Sequence, residues 1–199
     1  MENIAIIGAG GHAKIIVDLV NTLRIYKIIG FYDDNPKAKL YDIKHLGNTK
    51  NIDKSIENAI IGIGNNETRK KIYEQNKNVK WCSLVHPNST VSRHATILPG
   101  SVVCAGAIIQ TDVTIGKHCI VNTNCNIDHE SIIGDFTSIC PSATICGQVN
   151  ICDSVFIGAN ATIIERIKIG NNCIIGAGSV IINDIKNDCK VVGNPGRII

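Results

Sequence analysis

Aromatic residues are scarce. Phe, Tyr and Trp together make up 4% of the 199 residues. Compact globular cores draw much of their buried area from such rings, so the core expected here is one of small aliphatic units stacked in a repeat. Charged residues are also few, at 19%, and the net charge of +3 contains no long basic run. That argues against the electrostatic footprint of a nucleic-acid-binding protein. No apolar stretch approaches the length of a membrane span. Met1 to Gly8 is mostly apolar but has no basic region or cleavage site beside it, so no signal peptide is read. Nine cysteines would suggest disulfides in a small secreted chain. Their spacing instead follows the repeat described next, and a reduced, cytoplasmic protein is expected.

The repeat is the dominant pattern. From Val85 to Ile181 an aliphatic residue recurs at every sixth position without a slip in phase, through Val91, Ile97, Val103, Ile109, Ile115, Val121, Ile127, Ile133 and onward. The position four residues later is mostly small, as in Ser101, Ala107, Cys119, Cys125, Ser131 and Ala143. The position directly after the aliphatic residue is often Gly, as at Gly116, Gly134, Gly158, Gly170 and Gly176, where a glycine is expected to allow the backbone geometry of a tight corner. Six residues make one short strand and one turn. Three such units close an 18-residue triangular coil, and coils stack by parallel pairing at about 4.8 Å. This is a parallel β-helix of hexapeptide repeats. Seven of the nine cysteines fall in its small or post-aliphatic slots, where Cys is a buried space-filler. No metal site and no disulfide is assigned.

Before Val85 the pattern changes. Ile4–Ile7, Lys27–Tyr32 and Ala59–Ile63 read as strands, and Ala13–Leu23 and Glu67–Gln75 as helices. Their alternation predicts a small Rossmann-like parallel α/β domain over residues 1–80, with the β-helix occupying 81–199. Gly8-Ala9-Gly10-Gly11-His12-Ala13 fits a dinucleotide fingerprint with Ala13 in the third position, and Asp33 lies twenty residues beyond it. About 80 residues leave no room for a second mononucleotide half, which disfavours NAD. A nucleotide diphosphate suits the same turn, because its N–H groups and the helix N-terminus attract phosphate, and the Asp33-Asp34 pair can accept from a ribose or a base edge. A purely structural turn is the alternative.

In the β-helix the run Asn122 to Glu130 stands out, because it sets His129 between Asp128 and Glu130. A neutral histidine can act as a general base, and a carboxylate can orient its ring. A solvated turn histidine is the plain alternative. Gly147 lies 18 residues after His129 and should stack beside it. There its N–H can stabilise a thioester oxyanion, or the glycine can serve backbone geometry alone.

Several stretches together resemble the sugar acetyltransferases of the bacillosamine pathway and, more broadly, the sialic-acid O-acetyltransferase group. They are Gly8-Ala9-Gly10-Gly11-His12, Asp33-Asp34, Ile63-Gly64-Asn65-Asn66-Glu67-Thr68-Arg69-Lys70-Lys71-Ile72-Tyr73, Asn122, His129-Glu130-Ser131-Ile132-Ile133-Gly134-Asp135-Phe136 and Gly193-Asn194-Pro195. The resemblance spans essentially the whole chain. It implies left-handed coiling, against the usual crossover rule, and a homotrimer with sites between neighbouring β-helices. It implies acetyl-CoA as the donor and a UDP- or dTDP-linked 4-amino-4,6-dideoxy sugar as the acceptor. His129 would be the base, Glu130 its tuner, Asn122 an acceptor contact and Gly147 the oxyanion donor. Ser138, Gly147, Ala159 and Ala177 would meet the CoA, although the family pattern carries a histidine where this chain has Ser138. Gly10, Gly11, His12, Asp33, Asp34 and Gly64 would hold the nucleotide sugar. Three other readings stand beside this one: O-acetylation of a sialic acid, a γ-type carbonic anhydrase, and a non-enzymatic scaffold. The anhydrase needs three zinc-binding histidines, and His86, His94, His118 and His129 share no one-coil offset.

Overall fold

The computed structural model describes residues 1–53 and 55–199. The chain forms two compact units, Met1–Pro87 and Asn88–Ile199.

The first unit is a four-stranded parallel sheet with two helices. Strand β1 is Glu2–Ile7, helix α1 Gly11–Leu23, β2 Tyr26–Tyr32, β3 His45–Gly47, β4 Ala59–Ile61 and helix α2 Asn66–Gln75. The sheet order is β3-β2-β1-β4. Ile4, Ala5, Ile6 and Ile7 are fully buried, as a central parallel strand covered on both faces requires. Helix α1 buries Ala13, Ile16, Val17, Leu19 and Val20, one stripe at helical spacing. The helix starts two residues earlier than the sequence reading placed it. The short β3 strand was not expected from the sequence.

The second unit is a stack of short strands, nearly all of two residues, in three sheets that are parallel except where Lys190–Val192 meets Arg197–Ile198 antiparallel. Pairing partners are one coil of 18 residues apart: Ile115 stands beside Ile97 and Ile133, Val121 beside Val103 and Ile139, Ile127 beside Ile109 and Ile145. Every sixth-position aliphatic from Val103 to Ile181 is buried, each worth roughly 1.5–3 kcal/mol. Slots four residues on, from Ser101 to Ser179, are buried as well, and their hydroxyls and thiols tie successive coils together. Ser101 Oγ donates to the Gly116 carbonyl at 2.6 Å, Ser131 Oγ to that of Cys146 at 3.0 Å, and Cys125 Sγ to that of Cys140 at 3.0 Å. Burial pushes the Cys125 thiol up to about 12 and the Cys104 thiol to about 11, so these are packing groups rather than nucleophiles. All nine cysteines are free.

The corner geometry corrects the sequence reading. Left-handed backbone occurs three residues after the aliphatic, at Asp112 (φ 59°), Asn124 (57°), Glu130 (58°), Phe136 (59°), Gln148 (59°), Ser154 (60°) and Arg166 (62°). The glycines that directly follow the aliphatic have no such φ. They are needed because the next coil lies too close for a side chain. A Cβ on Gly134 would stand 2.5 Å from the Cys152 carbonyl carbon, and one on Gly116 would stand 2.7 Å from the Asp135 nitrogen.

Candidate active site

In the first unit the sequence-predicted ligand residues gather at the carboxyl ends of the strands, where open α/β sheets bind ligands. The turn Gly8–Gly11 leaves β1, Asp33-Asp34 leaves β2 and Gly62–Gly64 leaves β4. Gly8 is structural, with φ 105° and no room for a Cβ against Ile63. Gly62 is likewise needed for close packing on Ala13. Gly10, Gly11 and Gly64 are different: a Cβ on any of them would meet nothing within 4 Å, so their backbone is open to a ligand. Gly10 is the N-cap of α1, with no side-chain cap and no acidic residue in the first turn, whereas α2 is capped by Asn65 accepting from the Thr68 N–H. The first N–H groups of α1 therefore have no side-chain cap, the condition under which a helix start attracts an anion.

Asp33 braces this turn. Its Oδ2 accepts from the Ala9 N–H at 2.9 Å, and its Oδ1 accepts from Asn35. Asp34 Oδ1 accepts from both the N–H and the hydroxyl of Thr49, and these bonds hold its carboxyl below the usual carboxylate range. Arg69 is buried and donates to the carbonyls of Ile63 and Gly64, fixing the second glycine loop. His12 is lowered to about 4 by burial and then by the Arg69 charge, so it is neutral. Its Nε2 is buried without a protein partner among the described residues. A separate cavity of about 610 Å³ lies by Asn21, Arg24, Tyr26 and Tyr41, at the opposite end of the strands. Its position there, away from the open glycines, argues against it as the nucleotide site.

The β-helix unit holds the candidate catalytic residues. His129 Nδ1 meets Glu130 Oε2 at 3.0 Å, on an edge where the two side chains are 48% and 54% exposed. An ionised carboxylate only accepts, so Nδ1 carries the hydrogen, and in the neutral ring the lone pair is then on Nε2. Nε2 has no protein partner among the described residues. Gly147 stacks one coil away, and a Cβ there would stand 2.6 Å from His129 Nε2. Its φ is ordinary, so this glycine makes room for the imidazole rather than relieving backbone strain. The amide alongside is free for a specific reason. The His129 N–H is taken by Asp128 Oδ1 at 2.8 Å. One coil on, Cys146 stands in the place of Asp128, and the Gly147 N–H has no partner among the described residues. A shallow groove of about 240 Å³, lined in part by Gln110, Asn126, Asp128, Thr144 and Cys146, runs beside this edge.

The remaining residues named from the sequence do not join His129 within one chain. Asn122, Ala159 and Ala177 lie on the edge between the sheet of Val121 and that of Ile127, one side of the prism away. There the Ala159 and Ala177 N–H groups are also without partners among the described residues. On the third edge the equivalent amides are closed: Lys117, Asp135, Asp153 and Asn171 N–H groups each donate to an Asp or Asn side chain in the next coil. Among the described residues, open amides at this corner position thus occur on two of the three edges. Ser138 is 4% exposed, in a strand between Ile120 and Phe156. The sequence reading missed Gln148 and Arg166. Gln148 Nε2 donates to Glu130 Oε2, and Arg166 Nε donates to Gln148 Oε1, both at 3.0 Å. The 18-residue offset from Glu130 was the available signal.

The comparisons divide the chain at the same two architectures. Residues 3–76 match the family model described as the PglD N-terminal domain, and residues 148–183 that of the bacterial transferase hexapeptide, six repeats. Over its whole length the chain aligns with the acetyltransferase domain of PglB from Neisseria gonorrhoeae FA1090 in complex with acetyl coenzyme A. The two are 33% identical, with 100% and 99% of the chains covered and a TM-score of 0.93. The chain belongs to the PglD-type hexapeptide-repeat family. A mutant perosamine N-acetyltransferase from Caulobacter crescentus, solved with CoA and GDP-perosamine, has the same fold at 25% identity and TM-score 0.94, covering 100% and 97%. UDP-N-acetylbacillosamine N-acetyltransferase of Bacillus subtilis (strain 168) is 36% identical over 115 residues, 53% of this chain and 52% of its own length. The chain spans about half the length of the curated relatives it matches. Among the described residues of this PglD-type chain, no three His, Cys, Asp or Glu side chains are grouped to hold a metal ion, and no helix is long and apolar enough to cross a membrane.

Proposed function

We propose that this protein transfers the acetyl group of acetyl-CoA to the amine of a nucleotide-linked amino sugar. The observation that carries the reading is the triplet on one β-helix edge: His129 held by Glu130, with the unpartnered Gly147 N–H against its ring.

The amine attacks the thioester carbonyl while His129 Nε2 takes the proton it sheds. Glu130 keeps the Nδ1–H tautomer and offsets the charge of the imidazolium. Negative charge develops on the carbonyl oxygen, and the Gly147 N–H donates to it. The tetrahedral intermediate then breaks the C–S bond, and the imidazolium returns its proton to the departing thiolate. The products are the acetamide and free CoA thiol, so atoms and protons balance.

The acceptor's diphosphate is held by the open glycines and the uncapped start of α1, with His12 beside it. Asp34 Oδ2, free of Thr49, accepts from the sugar or base. The reading favours a UDP- or dTDP-linked 4-amino-4,6-dideoxy sugar. Relatives named as N-acetyltransferases of GDP-perosamine and UDP-N-acetylbacillosamine support a nucleotide-linked acceptor and add GDP to the nucleotides to be tested.

CoA lies along the open amides of Ala159 and Ala177. Because these face a different edge from His129 within one chain, we infer a homotrimer in which a neighbour supplies them, with Asn122. Ile132, Phe156 and Ile174, apolar and 39–49% exposed on the flat sheets, are suited to be covered in such an assembly. Ser138, nearly fully buried, is the weakest of the proposed CoA contacts. Sedimentation equilibrium tests the assembly: a mass of three chains is expected, and a monomer that acetylates at full rate would remove the shared site.

A further inference from the structure

We propose that Gln148 and Arg166 are positioning residues that aim Glu130, and through it His129, along one edge of the β-helix. The proposal rests on the acetyl-transfer reading for its consequence, but not for its geometry.

Glu130, Gln148 and Arg166 are spaced by 18 residues and share left-handed backbone at φ 58°, 59° and 62°. Their backbones are tied in register: the Gln148 N–H donates to the His129 carbonyl at 2.9 Å and the Arg166 N–H to the Gly147 carbonyl at 3.0 Å. The side chains form a ladder. Arg166 Nε donates to Gln148 Oε1, Gln148 Nε2 donates to Glu130 Oε2, and that same oxygen meets His129 Nδ1, each at 3.0 Å.

Chemistry fixes the direction of every rung. A guanidinium only donates, so the Gln148 carbonyl must face Arg166 and its amide nitrogen must face Glu130. Glu130 and Arg166 are two coils apart, roughly 10 Å at strand spacing, too far for a direct pair at this register. Gln148 bridges that gap. The bond from Gln148 is the first cause, ahead of that from His129, of the Glu130 carboxyl lying below its ordinary range. All three side chains are exposed, and exposed pairs add little stability. What the ladder supplies is orientation: it confines a flexible glutamate to the position that selects the Nδ1–H tautomer of His129.

The test combines steady-state kinetics with ¹⁵N-histidine spectra of the intact 199-residue chain. The variants are Gln148→Leu and Gln148→Glu, with His129→Asn identifying the His129 signals. Gln148→Glu keeps an acceptor for Arg166 but puts a like charge against Glu130, so the corner stays tied and Tm holds. In the wild type, neutral His129 is expected in the Nδ1–H form. Both variants should move it toward Nε2–H, and kcat should fall roughly tenfold, a part of the 10²–10⁴ that a general base contributes, with the acetyl-CoA KM nearly unchanged. An unchanged tautomer, or an unchanged kcat, in both variants overturns the proposal. If the wild type acetylates no nucleotide amino sugar while the tautomer still responds to Gln148, positioning stands and the acetyl-transfer reading is what fails.

Discussion

The imidazole of His129 occupies the space that a side chain on Gly147 would need, 2.6 Å from Nε2 to a built Cβ. Because φ at Gly147 is ordinary, Gly147→Ala strains no backbone. The ring must move instead, away from the free Gly147 N–H. The expected outcome is a Tm within a few degrees of wild type and a kcat lower by roughly tenfold or more, since misplacing a general base forfeits part of its 10²–10⁴ contribution. His129→Ala should lose roughly 10² or more with the β-helix intact. Stopped-flow thiol release and circular dichroism on both variants check this. Full activity in Gly147→Ala would mean that the ring and amide do not act together.

The corner geometry leads to an opposed pair of stability effects. Gly134→Ala places a methyl group against the Cys152 and Asp153 backbone and should destabilise by about 1–3 kcal/mol, the usual range for overpacking. Ser154→Gly removes a side chain from left-handed backbone at φ 60° and should be neutral or stabilising by up to about 1 kcal/mol. Chemical denaturation of the two variants measures both.

The repeat was legible because each six-residue unit buries one aliphatic on one face, and a single phase runs from Val85 to Ile181. The same 18-residue arithmetic sets Gly147 beside His129, where the structure has it. The left-handed corner positions were legible only in part: Gly100, Gly106, Gly178, Asp112, Asn124, Asn160, Asn172 and Asp188 suit that backbone, whereas at His118, Glu130, Phe136, Ser142, Gln148 and Arg166 the neighbouring coils impose it. The strand His45–Gly47 is too short to show a period. Counting by 18 reaches Gln148 and Arg166 from Glu130, but spacing does not report which side chains extend along the edge and bond. Thr49 escaped for a similar reason, because its partner Asp34 is fifteen residues away in an irregular stretch.

His12 gives a pH dependence with a definite sign. Its folded value, about 4, lies below the ordinary 6.5. The unfolded chain therefore binds the proton first as pH falls. The contribution of His12 is complete above pH 6.5 and is lost progressively down to about pH 4, on the order of 3 kcal/mol in total. His12→Gln should flatten the acid dependence of unfolding in that window. Thermal scans of both proteins between pH 7 and 4.5 decide it: parallel slopes would place His12 in solvent.

Ile145 fills the prism one coil above Ile127 and is fully buried. Ile145→Asp leaves a charge there with no partner and should yield unfolded or aggregated protein. Ile145→Val should fold and lose about 0.5–1.5 kcal/mol. Soluble expression followed by denaturation separates the two, and a native Ile145→Asp protein would mean that the interior phase is wrong.

The most direct measurement is thiol release from acetyl-CoA by the purified protein. The acceptor panel holds UDP-, dTDP- and GDP-linked 4-amino sugars, a 3-amino sugar and free sialic acid, and His129→Ala is run alongside. The account expects turnover with a nucleotide-linked 4-amino sugar, one acetamide formed per thiol, and its loss in His129→Ala. Turnover with sialic acid alone, or turnover with an amino sugar that survives His129→Ala, would contradict it.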